Sequence, residues 1–388
     1  MTREVAIIDV LRTPFGRALK GGLRNTRPDT MAAEVIKALL TRHPEVKPEE
    51  VEDLLVGIAM PEAEQGMNAA RLIGLLAGLP DTVPAATINR FCSSGAQTIG
   101  MIADRIALGA IDVGIAGGVE TMTMIPMGGN KVSANPDLME CCPEAYTPMG
   151  TTAENVAARF EISRADQDAF AAESHRRASI AREKGILAQE IIPIHTTVLT
   201  ETGPQAVTVE HDECVRPDTT AEGLASLRPA FNPKGSVTAG NASPLTDGAA
   251  MALLMSKEKA DALGLDTLGT FKAWVVAGVP PDIMGIGPVP AIRKLLDKTG
   301  LSIDQIDAIE LNEAFASQSL YCVRELGLDP AKVNPNGGAI AIGHPLGATG
   351  ARQIGALLRH LQRTGGRYGI VSMCIGGGMG FACLVEAT

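Results

Sequence analysis

Three side chains able to carry covalent or proton-transfer chemistry stand where apolar runs give way to small-residue turns: Cys92, His344 and Cys374. A thiol becomes a nucleophile once it loses its proton, and an imidazole is the group best suited to take that proton near neutral pH. Cys92 follows the run 83–91 and precedes Ser93-Ser94-Gly95 and a helical pattern, so a helix N-terminus would favour its thiolate; the same position also suits a buried structural cysteine. His344 lies in Gly343-His344-Pro345-Leu346-Gly347-Ala348-Thr349-Gly350, either a backbone bent to present the ring or a loop histidine bonded to a carbonyl. Cys374 opens Ile375-Gly376-Gly377-Gly378-Met379-Gly380, too flexible a run to serve stability alone. A nucleotide-binding loop is the rival reading of those glycines, but no G-x-G-x-x-G opens a first βα unit and no G-x-x-x-x-G-K-[ST] occurs. Asn312-Glu313-Ala314-Phe315 adds an amide and a carboxylate at another strand end, with a plain N-cap by Asn312 as the alternative.

These groups can meet only if the elements before them end on one side of a sheet, and in parallel α/β sheets ligands do collect at the carboxyl ends of strands. Residues 4–10 form a strand pattern, 30–41 a helix, and 53–58 a buried strand. The run 83–91 leads into Cys92. Ile99, Ile102, Ala103 and Ile106 share the face of a helix ending at Gly109, and 113–118 resumes strand character. The last third repeats this order: helix at 291–297, strand at 306–311, Gly337–Gly343 running into His344, a helix through Ile354 and Leu361, and a strand at 368–373 before Cys374. The interval from Ile36 to Cys92 is close to that from Ile292 to His344, as expected of diverged copies, and all three reactive residues are expected at corresponding elbows. Residues 119–246 break the pattern. They hold Met122, Met124, Met127, Met139 and Met149 and one clear helix, capped at Ser163 with Asp166 in its first turn and ended by Gly185; this stretch is expected to lie over the site-bearing face.

Composition excludes several classes. At 388 residues the chain exceeds what one core supports, so at least two packed units are expected. The 42 glycines against 3% aromatics suit a tightly turned α/β chain. A net charge of −10 opposes nucleic-acid binding and leaves room for a local basic pocket for one anionic ligand. No apolar run is long enough to span a bilayer, and residues 1–9 lack a signal peptide's apolar region. Seven scattered cysteines point to reduced thiols and a cytoplasmic setting. No Cys or His pair has zinc spacing, Cys141-Cys142 being adjacent, so no metal is expected.

Taken together, Asn89-Arg90-Phe91-Cys92-Ser93-Ser94-Gly95, Asn312-Glu313-Ala314-Phe315-Ala316, Gly337 through Gly347 and Cys374-Ile375-Gly376-Gly377-Gly378 resemble the thiolase family. Arg12-Thr13-Pro14-Phe15-Gly16 and Val237-Thr238-Ala239-Gly240-Asn241-Ala242-Ser243 extend the likeness over essentially the whole chain. The resemblance implies two duplicated five-stranded βαβαβαββ halves in a five-layered α/β/α/β/α core. Residues 1–118, completed by about 247–268, would form one half, 119–246 a loop domain over the active site, and 269–388 the other half. It also implies that Cys92 is acylated, that His344 takes its proton, and that Cys374 protonates the departing enolate and deprotonates incoming CoA. Asn312, holding a water, would join His344 in one oxyanion hole, and the N–H groups of Cys92 and Gly376 would form the other.

Coenzyme A is then a co-substrate, with no permanently bound cofactor, and the matching contact positions are Met149, Arg216, Phe231, Ala239, Ser243, Ala314 and Phe315. Packing accounts equally for Met149, Phe231 and Phe315, and a solvated surface charge for Arg216. Lowering a thiol from pKa ~8.5 to ~7 raises the thiolate fraction at pH 7 about 16-fold, but reduced nucleophilicity leaves a gain of only ~3-fold. Losing one oxyanion donor costs about 2.7–4 kcal/mol, so the donors are expected to matter more. Cys92-Ser93-Ser94-Gly95, Arg24-Asn25, Arg216-Pro217-Asp218-Thr219-Thr220 and Pro148, where condensing members usually have histidine, resemble the degradative members of fatty-acid β-oxidation. The expected activity is thiolysis of 3-ketoacyl-CoA by a homodimer or homotetramer, with a hydratase/dehydrogenase subunit as a further partner. The alternatives are an acetoacetyl-CoA thiolase working in the condensing direction and a non-catalytic acyl-CoA-binding or assembly subunit. The second would be expected to lack a reactive residue, and all three are present.

Overall fold

The computed structural model describes residues 3–388. The N-terminal part runs β1 (Val5–Arg12), β2 (Gly16–Arg17), α1 (Pro28–Arg42), β3 (Asp53–Gly57), α2 (Ala69–Leu76), β4 (Ala85–Ile88), α3 (Ser94–Ala107) and β5 (Val113–Glu120). A long excursion follows, with α4 (Pro136–Cys141), α5 (Met149–Arg159), α6 (Arg164–Glu183), the hairpin β6 (Ile194–Thr200) and β7 (Gly203–Val209), and α7 (Ala221–Ala225). The chain then returns as β8 (Thr246–Ser256). After α8 (Lys257–Leu263) come β9 (Gly269–Gly278), α9 (Pro288–Thr299), β10 (Ala308–Leu311), α10 (Ala316–Glu325), α11 (Ala339–Ile342), α12 (Leu346–Thr364), β11 (Tyr368–Ile375) and β12 (Met379–Ala387).

The sheet order is β10-β11-β12-β9-β1-β8-β5-β3-β4. Only two residue pairs, Ala6 with Thr270 and Ile7 with Gly269, join β9 to β1, so the sheet divides there into two halves. Alternation along the strands decides the layers, because successive side chains face opposite sides of a sheet. On β1, Val5 and Ile7 pack with α3 and α12 while Ala6 and Ile8 pack with α1 and α2, and a register shift between Ile7 and Asp9 keeps Val10 on the first side and Leu11 on the second. In the second half Val371 and Phe381 face α12, whereas Ile370, Ala382 and Leu384 face α9 and α10. The result is helix, sheet, helix, sheet, helix: the expected five-layered α/β fold, with α3 and α12 in the middle layer.

The two halves share an element order but are not identical. β3, β4 and β5 are parallel neighbours, whereas beside β10 the expected fifth strand shrinks to one bridge, Ile309 to Val333. Asn334, at φ +47°, ends that pairing: its side chain accepts from Leu311 N–H and donates to Leu311 C=O, both at 2.8 Å, so an amide replaces the next rung. The run before His344 is also no strand. Ala339–Ile342 form one helical turn, closed by Gly343 at φ +112°.

Residues 119–246 hold more regular structure than one helix, because α5, the short α4 and α7 and the β6–β7 hairpin lack strong local periodicity. The long helix is α6, with Ser163 Oγ accepting from Asp166 N–H at 3.1 Å. Buried Arg12 pins the excursion to β1 through Glu190 (2.6 Å) and Asp212 (2.6 and 2.8 Å). Among the described residues no helix is long and apolar enough to cross a membrane.

Candidate active site

Cys92 lies in a single helical turn, Phe91–Ser93, between β4 and α3. Phe91 is held at φ +43°, a conformation a bulky residue adopts only under constraint. Three hydrogen bonds from two side chains supply that constraint. Asn89 Oδ1 accepts from Phe91 N–H (2.8 Å), while Ser94 Oγ accepts from Arg90 N–H (2.8 Å) and donates to Phe91 C=O (2.7 Å). Asn89 in turn donates to Ala59 C=O at 3.0 Å. The turn aims the thiol at the backbone N–H groups of Gly376 and of Cys92 itself.

His344 occupies the equivalent place before α12. Its main-chain N–H donates to Thr246 Oγ1 at 2.8 Å, fixing the turn against β8. Thr349 Oγ1 donates to Pro345 C=O (2.9 Å) and therefore accepts from His344 Nδ1–H (2.6 Å). That assignment leaves Nε2 as the acceptor, bonded by Asn312 Nδ2–H at 3.1 Å. Asn312 is thus not a helix cap; its buried Oδ1 has no partner among the described residues. Glu313 serves structure instead, accepting from Ser174 (2.6 Å), Asn334 (2.8 Å) and Ile340 N–H (3.2 Å).

Cys374 departs from the expected elbow. It is the next-to-last residue of β11, paired with Gly380 across the β11–β12 hairpin, and the turn needs Gly377 and Gly378 at φ +78° and +84°. The expectation fails because that glycine run leads into another strand rather than a helix. Its location still serves the site: the hairpin carries Gly376 to the Cys92 sulfur, and charge on Cys92 is felt at Cys374.

Electrostatics favour a neutral pair. Burial pushes the Cys92 thiol up to about 11, against the stabilising pull of the Gly376 and Cys92 N–H groups and with a small further push from Glu120. Burial first, and the Arg352 cation second, hold His344 down to about 3. Burial also raises Cys374. Burial thus opposes the thiolate that the helix terminus and the two N–H groups favour.

Six of the seven residues expected around CoA are packed beside this centre or on the loop next to it. Met149 packs with Cys374, Ala314, Phe315 and Met284. Phe231 and Phe315 meet edge to face at 5.9 Å, and the Phe231 ring covers Gly150 so closely that a Cβ there would lie 2.1 Å from it. Ser243 donates through both N–H (3.0 Å) and Oγ (3.1 Å) to Ala314 C=O. Ala239 is exposed, next to a Gly240 that packs against Leu224 and Leu227. Arg216 stands apart and exposed, its backbone N–H donating to His175 Nδ1 at 3.2 Å.

Sequence reasoning missed three supporting residues. Thr349 orients the ring of His344, and its signal was a lone hydroxyl in the first turn after Gly343-His344-Pro345. Thr246 fixes the backbone of His344. Buried Glu120 accepts from Ala59 N–H (2.8 Å), Met60 N–H (3.1 Å), Gln65 (2.8 Å) and Gly347 N–H (2.9 Å), tying β3 and β5 to the start of α12.

Two family models cover the chain, "Thiolase, N-terminal domain" over residues 5–258 and "Thiolase, C-terminal domain" over 265–387. The chain belongs to the thiolase family. This thiolase is 51% identical to the 3-ketoacyl-CoA thiolase of Bacillus subtilis over 99% of both chains. It superposes on the dimeric peroxisomal thiolase of Saccharomyces cerevisiae with a TM-score of 0.91 at 40% identity, covering 100% of this chain and 98% of that one. The Bacillus anthracis acetyl-CoA acetyltransferase structure gives 0.89 at 42% identity, covering 100% and 99%.

Proposed function

We propose that this thiolase is a degradative 3-ketoacyl-CoA thiolase, cleaving its substrate with CoA to acetyl-CoA and a shortened acyl-CoA. The observation that carries the reading is a thiol aimed at two backbone N–H donors and coupled to a second thiol, with a buried histidine whose Nε2 accepts from Asn312. His344 Nε2 takes the Cys92 proton as the sulfur attacks C3. Because both groups are neutral beforehand, transfer accompanies attack. The C2–C3 bond breaks, Cys374 S–H protonates C2, and acetyl-CoA leaves an acyl group on Cys92. The Cys374 thiolate then takes the proton of incoming CoA, whose sulfur releases the acyl group, and His344 returns its proton to Cys92. The N–H groups of Cys92 and Gly376 stabilise one oxyanion, and His344 with Asn312 and a water the other.

Met149, Phe231, Ser243, Ala314 and Phe315 line the approach of pantetheine, with Ala239 beside them and Arg216 toward the nucleotide end. We assign residues 119–246 as the loop domain over the site, between a half made of 1–118 with about 247–268 and a half made of 269–388. The return of β8 between β1 and β5 supports that division. The half-exposed edge strand β4 suits a homodimer, and the enzyme would work in the cytoplasm, alone or with a hydratase/dehydrogenase partner. The relatives named 3-ketoacyl-CoA thiolase, and Pro148 capping α5, favour degradation over acetyl transfer. The test is CoA-dependent thiolysis by the wild-type chain on acetoacetyl-CoA and longer 3-ketoacyl-CoA substrates. Efficient cleavage of the longer ones is expected, and a strong preference for acetoacetyl-CoA would overturn the degradative reading.

A further inference from the structure

Two buried charges stand behind Cys92 and His344, and the reaction described above uses neither. Glu120, the last residue of β5, accepts Ala59 N–H (2.8 Å) and Gly347 N–H (2.9 Å) on Oε2, and Met60 N–H (3.1 Å) and Gln65 Nε2–H (2.8 Å) on Oε1. Thr121 N–H donates to Gln65 Oε1, which turns the amide N–H toward Glu120. Burial works against charge on this carboxyl, but all its partners are donors and leave neither oxygen room for a proton, so the group is held as a carboxylate. Ala59, and Leu346 next to Gly347, belong to the apolar cluster around Cys92, so the anion sits directly behind that cluster.

Behind His344 the sign is reversed. Arg352 lies about one turn past Thr349 on α12, and Thr349 holds His344 Nδ1. The pairing of β10 runs on to Asn312, whose N–H donates to Ser372 C=O (2.9 Å), so Glu310 and Asn312 share one side of the sheet. Strand and helix thus meet in two neighbouring rungs, Asn312 with His344 Nε2 and Glu310 Oε2 with Arg352 Nη1 at 2.9 Å. Arg352 is a permanent cation, and its buried Nε and Nη2 have no partner among the described residues, so Glu310 offsets only one edge of it. Burial also pushes the Glu310 carboxyl up, against the pull of Arg352. The titratable groups around the pair are Glu120 on β5, Cys374 on β11, Glu310 and Glu313 at the end of β10, and Arg352 on α12. Of these, Glu120 disfavours charge on Cys92 and Arg352 disfavours it on His344.

A thiolate–imidazolium pair would call for an anion by the ring and a cation by the sulfur, and the chain holds the opposite arrangement. We propose that Glu120 and Arg352 are positioning residues that hold Cys92 and His344 neutral in the empty site, so that the Cys92 proton passes to His344 only as the sulfur bonds to a bound acyl carbon. Neither touches substrate, and each acts through the reactive residue in front of it. The idle thiol is thereby shielded from other electrophiles. The proposal rests on the roles given to Cys92 and His344 above.

The test needs no substrate. Ultraviolet absorbance of the thiolate, with Cys92→Ser as the blank, follows Cys92, and nuclear magnetic resonance of isotope-labelled histidine, with His344→Asn to identify the signal, follows His344. Glu120→Gln should lower the Cys92 midpoint by about one unit, and Glu120→Asp, which keeps the charge, should not. About tenfold more thiolate of lower nucleophilicity should make Glu120→Gln lose activity to iodoacetamide about threefold faster near neutral pH. Replacing the ion pair as a whole, in Glu310→Gln/Arg352→Met, spares the fold a lone buried charge and should raise the His344 midpoint by about one unit, while Arg352→Lys should leave it in place. Either arm decides on its own: an unmoved Cys92 midpoint in folded Glu120→Gln, or a double variant whose His344 stays neutral to as low a pH as wild type, would overturn the proposal. Equal shifts in the charge-keeping variants would overturn it too, since they trace the effect to packing. A wild-type chain that cleaves no 3-ketoacyl-CoA would overturn the thiolysis reading, whereas unshifted midpoints in an active enzyme would overturn this inference alone.

Discussion

At the scale of single residues, the site is a set of reactive groups held by unreactive ones. Cys92, His344, Cys374 and Asn312 were legible because nucleophile, base and amide types recur beside glycine-rich turns. Thr349, Thr246 and Glu120 were not, since a hydroxyl or carboxylate that bonds one neighbour leaves no pattern in the sequence. The protonation state was not legible either, because desolvation depends on how completely the folded chain covers the thiol. This yields a pH prediction. A thiol raised to about 11 is protonated through neutrality and ionises only as pH rises toward that value. Alkylation of Cys92 by iodoacetamide, followed by peptide mass spectrometry, should therefore accelerate about tenfold per pH unit from about pH 7 to 9 without levelling off. A plateau by about pH 8 would mean that the free site holds a thiolate after all.

At the scale of elements, two helices place Cys92 and His344, each just before a helix start. α3 and α12 begin just after these residues and cross at glycines, Gly95 on one and Gly347 and Gly350 on the other. A Cβ on Gly95 would lie 2.4 Å from the Gly347 carbonyl oxygen, and one on Gly350 would lie 2.6 Å from Ala96 N. Both obstacles are backbone, so they cannot rotate away. Gly350→Val should force the helices apart, costing about 1–3 kcal/mol of stability. Because it also displaces His344 from Cys92, thiolysis should fall by about a hundredfold, more than the stability loss explains. Thermal melts alongside kcat check this, and wild-type turnover in a folded Gly350→Val protein would show that the close crossing does not position the site. The helices themselves were legible from Ile99, Ile102 and Ile106 and from Ile354 and Leu361. Their crossing was not, because a glycine at a helix contact looks the same in sequence as one that ends a helix.

At the scale of the whole molecule, the two halves share one middle layer. Ile99, Ile102 and Ile106 of α3 lie in the same core as Ile354, Leu357 and Leu358 of α12, and strands of both halves complete it. Neither half can bury its inner face alone, so the chain should unfold as one cooperative unit. The single tryptophan, Trp274 on β9, reports the junction: its Nε1–H donates to Asp104 of α3 at 3.0 Å. Its fluorescence transition in guanidinium should coincide with loss of helical circular dichroism, whereas an earlier fluorescence change would mean that the halves separate before they unfold. The repeat in element order was visible in sequence, since hydrophobic period and glycine punctuation are local. So were the kind of chemistry and the residues able to perform it, because side-chain reactivity is a property of residue type. Tertiary structure alone decided that Asn312 bonds His344 rather than a helix end, and how strongly burial opposes ionisation of the Cys92 thiol. Each of these depends on which distant backbone comes close enough to bond or to exclude water, and no local pattern encodes that.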